Sequence, residues 1–84
     1  MNRVQILVEI LALPARQREH VGVLLHPDGQ LTDLHVAGSE RALAEWARLV
    51  LLDGGPRDGA VPHRARLERR EVVVERIETE VSRG

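Results

Sequence analysis

Trp46 is the only aromatic residue in a chain that has no Phe, no Tyr and no cysteine. Leu, Val, Ile and Ala must therefore build the core around one indole. No disulfide or thiolate–zinc staple can compensate for a thin core. At 84 residues the chain has the length of one small domain, which hides roughly two-thirds of its unfolded surface on folding. Aliphatic side chains bury less area per residue than aromatic ones. A core shared with a second copy, as a homodimer, is the expected remedy.

Composition excludes several classes. A chain that is 43% hydrophobic and 30% charged is too apolar for a disordered tail and too charged for a membrane span. Twelve Lys+Arg against 13 Asp+Glu leave a net charge of −1, so no bulk field draws in a polyanion. Every formal cation is an arginine, since lysine is absent. That bias fits a GC-rich coding genome, bacterial or phage. The missing cysteines suit a reducing compartment, and a cytoplasmic protein is expected. Arg3, the apolar run after it and Ala12-Leu13-Pro14-Ala15 outline a signal peptide, but Glu9 interrupts the run where a carboxylate is costly.

Residues 3–13 alternate. Val4, Ile6, Val8, Ile10 and Ala12 share one parity, which predicts a strand ended by Pro14. Residues 19–26 and 31–37 read as a hairpin around His26-Pro27-Asp28-Gly29-Gln30, with Gly29 suited to the left-handed position after a type I turn. Turn chemistry pairs His26 with Gln30. A register shifted by one instead groups Val21, Val23, Leu25, Thr32, Leu34 and Val36 on one face. The shifted register is preferred here because one buried face constrains pairing strongly. Residues 40–53 predict a helix, with Ser39 as N-cap, Glu40 in the first turn, and Ala42, Leu43, Trp46, Ala47, Leu49 and Val50 at helical spacing. Gly54 is placed to cap its end. Residues 53–64, with three glycines and two prolines, read as a long flexible loop. Residues 65–81 read as one long strand because Val72-Val73-Val74 is stiff in a helix, with a bulge near 69–71.

The expected architecture is α+β: a two-layer sandwich in β-β-β-α-β order, with a mostly antiparallel four-stranded sheet and one helix on one face. Its uncovered face would carry Leu7, Leu11 and Leu24, with Leu51 and Leu52 at the helix end.

Materials for catalysis are sparse. The serines are Ser39, used as a cap, and Ser82 near the end. No nucleophile sits in a triad-like context. Glu68/Glu71 and Glu75/Glu78/Glu80 are interleaved with arginines and read as surface charge ladders rather than a catalytic pair. The glycine-rich stretch 53–59 follows a helix, whereas phosphate-cradling loops precede one. His20, His26, Asp33 and His35 are the weak metal candidates, on one hairpin face, but no tight histidine pair supports them. No cofactor is expected.

Arg57, Arg64, Arg66 and Arg70 form a local basic patch that Glu68 interrupts, without aromatics to stack bases. A nucleic-acid role is the alternative reading, and a His/Asp metal protein a further one. The preferred reading is a non-catalytic protein-interaction module, accessory, regulatory or inhibitory. Its docking residues would be Arg57, Arg64, Arg66, Arg70, Leu7, Leu11, Leu51 and Leu52, since arginine and apolar side chains are enriched at interfaces.

Overall fold

A computed structural model describes residues 1–52 and 59–79 of the chain. The elements are α1 (Arg3–Leu11), β1 (Val21–Leu25), β2 (Leu31–Val36), α2 (Glu40–Leu52), β3 (Val61–Glu68) and β4 (Glu71–Arg76), with a 3-10 turn at Ala15–Arg18. The four strands form one antiparallel sheet in the order β2-β1-β3-β4. The class is therefore α+β with a four-stranded antiparallel sheet, as expected.

Two helices flank that sheet, on opposite faces. Ile6 and Ile10 of α1 pack with Val21, Val23, Leu31, Ala65 and Val72. On the other side α2 lays Leu43 and Trp46 over Gly22, and Leu43 and Ala47 join Ala37 and Ile77. Successive residues of a strand point to opposite faces, so Val21/Val23 and Gly22 mark the two sides of β1. The order is α-β-β-α-β-β in three layers, which replaces the two-layer, one-helix arrangement. Leu24 is buried on the α2 side, only 7% exposed.

The largest correction is residues 3–13, a helix rather than a strand. Asn2 starts it with a reciprocal box: its side chain accepts from the Gln5 amide at 2.9 Å, and its own amide donates to Gln5 Oε1 at 2.8 Å. Two orphan donors of the first turn are thereby satisfied. Arg18 closes the far end, donating to the carbonyls of Leu11 (2.9 Å) and Leu13 (3.0 Å), where a cation complements the helix dipole. The alternating valines and isoleucines fit period two, but Ile6, Leu7, Ile10 and Leu11 also fall at helical spacing, and the caps favour the helix.

The hairpin takes both registers. At the turn, the His26 amide donates to the Gln30 carbonyl, Gly29 has φ 90°, and Leu25 faces Leu31. At the other end Val21 faces Val36, one residue out of step. A bulge at Asp33 and Leu34 absorbs the difference, with Asp33 at φ 55°. The turn and the buried face each win at their own end.

Residues 65–81 are not one strand. β3 begins at Val61, so 61–64 belong to the sheet rather than to a loop. Arg69 and Arg70 then reverse the chain at φ 51° and 68°, with Glu68 facing Glu71. That is the geometry of a two-residue type I′ hairpin turn. It takes the place of the bulge expected there, and the absence of Asn or Gly hid it. The helix over 40–52 is as expected, with Ser39 Oγ accepting from the Ala42 amide at 3.0 Å. Residues 53–58, half of the expected loop 53–64 with Gly54 as cap among them, lie outside the described residues.

Candidate docking surface

Helical geometry distributes the apolar residues of α1 over about 200° of its circumference, wider than one core-facing stripe requires. Ile6 and Ile10 are fully buried against the sheet. Leu7 is half-buried beside them. Leu11, Val4 and Val8 complete the arc and stand in solvent at 50%, 67% and 62% exposure. Gln5 and Glu9 hold the remaining side. As a strand, this segment would have placed Val4 and Val8 with Ile6 and Ile10. As a helix it separates them into a core pair and an outward pair.

Next to that stripe lies a groove of about 390 Å³ lined by Arg3, Val4, Leu7, Arg70, Glu71 and Val72. Two elements make it. One is the first turn of α1, anchored by Arg3 Nη1 donating to the Val72 carbonyl at 3.1 Å. The other is the start of β4, delivered by the Arg69–Arg70 turn. Met1 meanwhile exchanges backbone bonds with Leu31 of β2, at 2.7 and 2.8 Å. The first three residues thus tie α1 to both edge strands.

The expected docking residues divide. Leu7 and Arg70 line this groove, and Leu11 stands exposed at the far end of α1. Leu51 is half-buried and Leu52 is 55% exposed at the end of α2, a different helix on the other face. Arg57 lies outside the described residues. Arg64 and Arg66 lie on the α2 face of the sheet, and both are engaged by acids: Arg64 with Glu40, Arg66 with Glu75 and Glu68. The hydrogen bond from Arg64 holds the Glu40 carboxyl below the usual carboxylate range, against a smaller opposing effect of burial. The bond to Glu75 raises the Arg66 guanidinium further above its already high value. Charge on the α2 face is consumed internally, which weakens it as a polyanion-binding patch. Sequence reasoning missed Arg3, Val4, Val8 and Arg69; the Asn2-x-x-Gln5 spacing was the signal that would have exposed the first three.

The four metal candidates serve other contacts or none. His35 stacks flat on Trp46, with ring centroids 4.9 Å apart and planes 5° from parallel. His26 Nε2 lies 2.7 Å from Thr32 Oγ1. His20 sits 3.9 Å from Glu40. Asp33 is exposed in the bulge. Among the described residues no three His, Asp or Glu side chains converge as metal ligands, and no polar or charged residue is buried. No helix among them is long and apolar enough to cross a membrane.

Comparisons with protein-family models, with curated proteins and with solved structures found no match.

Proposed function

We propose that the chain is a non-catalytic interaction module that docks on another protein through the outward side of α1. The observation that carries this is the pair of valines Val4 and Val8, both more than 60% exposed, with Leu11 half exposed beside them, on a helix whose Ile6 and Ile10 are fully buried. Large apolar side chains grouped on one helix face, beside a groove with a charged rim, mark an interaction surface. An accessory, regulatory or inhibitory role in a bacterial or phage setting accords with the size and the arginine-only cations.

The test is a pull-down from the native host with wild type and with Val4→Gln/Val8→Gln, using Glu45→Gln on α2 as control. Capture lost in the first variant and kept in the second is expected. Equal capture by all three would remove α1 from the interface. Light scattering at high concentration checks homodimerisation in parallel.

A further inference from the structure

We infer that the groove between α1 and the β3–β4 turn takes an acidic, apolar segment of a partner protein, which rests on α1 being a docking surface. Val4, Leu7 and Val8 would receive its apolar side chains, and Arg3 and Arg70 its carboxylates.

Charge is the first argument. The groove lining holds two arginines and one acid, Glu71. Arg69 adds a third cation at the turn. Glu71 faces Glu68 across the hairpin, and Arg66 already holds Glu68. Arg69 and Arg70 are both exposed and make no ion pair among the described residues. The local excess is positive in a chain whose net charge is −1. A guanidinium fork matches a carboxylate in two parallel hydrogen bonds.

Backbone conformation is the second. A two-residue hairpin turn with positive φ favours Asn-Gly or Asp-Gly. Here two arginines occupy it, each in a region that costs a side-chain-bearing residue energy. Local strain of this kind persists where the side chains are used. The turn aims its second arginine along the wall of the groove, next to the apolar stripe of α1.

Size is the third. A nine-residue helix is about 14 Å long. With its groove it falls short of the roughly 800 Å² per partner that a standard stable dimer buries. A short segment laid into a groove suits that footprint, as amphipathic helices do.

Two synthetic amphipathic peptides test the proposal. They share one leucine face and differ only in flanking residues, all glutamate in one and all lysine in the other. Anisotropy of a dye on each peptide gives its affinity. Wild type is expected to bind the glutamate peptide about tenfold more tightly, and the gap to narrow as salt rises. Arg69→Asn/Arg70→Gly is expected to melt higher, because the turn is relieved, and yet to bind that peptide about tenfold more weakly. A gain in stability with a loss of binding cannot come from unfolding. Equal binding of both peptides, or unchanged binding by the double variant, overturns the inference while leaving the docking face in place. Binding of neither peptide also overturns it. Self-association sensitive to Val8→Gln would then keep α1 as an interface with a second copy as occupant, and a strict monomer with no capture would end both readings.

Discussion

A β-carbon built on Gly22 would fall within the van der Waals surface of the Trp46 indole, 2.9 Å from Cε3, and equally close to Leu43 Cδ1. The single aromatic residue reaches the sheet only because β1 has no side chain beneath it. Trp46 then spreads flat against His35, which sits across from Gly22 on β2. Gly22→Ala is expected to destabilise by about 1–3 kcal/mol, as overpacking does. Trp46→Leu in the same chain should recover part of that loss, and a double-mutant cycle by urea denaturation measures the coupling. Additive losses would show that the two residues do not share the space.

The β3–β4 turn carries a stability cost that substitution removes. Arg69 and Arg70 both sit at positive φ. Replacing them with Asn and Gly, the pair that this turn type prefers, is expected to stabilise by about 1–2 kcal/mol. Thermal melts suffice to measure it. A lower melting temperature would mean that the arginine side chains themselves hold the turn.

How much of this fold the sequence disclosed depended on how local each signal was. The His26–Gln30 turn and the Ser39 cap were legible because each is set by a few adjacent residues with one favoured conformation. The β1–β2 register was ambiguous because two valid constraints act at its two ends, and a bulge reconciles them. Asp33 is the extra residue of that bulge. Deleting Asp33 keeps Leu31, Leu34 and Val36 facing α1, and is expected to cost no more than about 1 kcal/mol. Deleting Leu34 restores the same residue count but turns the Asp33 carboxylate inward, at a cost of about 2 kcal/mol or more. Chemical denaturation of the two deletions gives the comparison, and equal losses would contradict the bulge assignment.

Acid should weaken the tie between α2 and β3. The hydrogen bond from Arg64, aided by the charges of Arg64 and His20, holds the folded-state Glu40 carboxyl below its ordinary 4.5. A carboxyl that is more acidic when folded stabilises the fold above its unfolded value and loses that contribution as the pH falls through the folded one. The wild type is therefore expected to exceed Glu40→Gln in stability at neutral pH and to converge on it below about pH 4.5. The margin is below about 1 kcal/mol, because the Glu40 side chain is 62% exposed and water screens the pair. A difference that persists unchanged at pH 3 would show that the effect does not come from the Glu40 charge.

The N-terminal segment was misread because Val4, Ile6, Val8 and Ile10 alternate as a strand does, while the helical signal lies in Ile6, Leu7, Ile10 and Leu11 and in the capping residues Asn2 and Gln5. The two conformations make different demands on the same four positions. In a strand all four share one face, and each truncation would weaken the core alike. In the helix Ile6 and Ile10 are fully buried while Val4 and Val8 are exposed. Ile6→Ala and Ile10→Ala are expected to cost about 2–4 kcal/mol each. Val4→Gln and Val8→Gln should stay within about 0.5 kcal/mol of wild type, since glutamine is at least as good a helix former as valine. Those two substitutions should abolish partner capture all the same. Urea denaturation of the four single variants measures the split, and four similar losses would return the segment to the sheet and remove the exposed stripe on which the proposed docking rests.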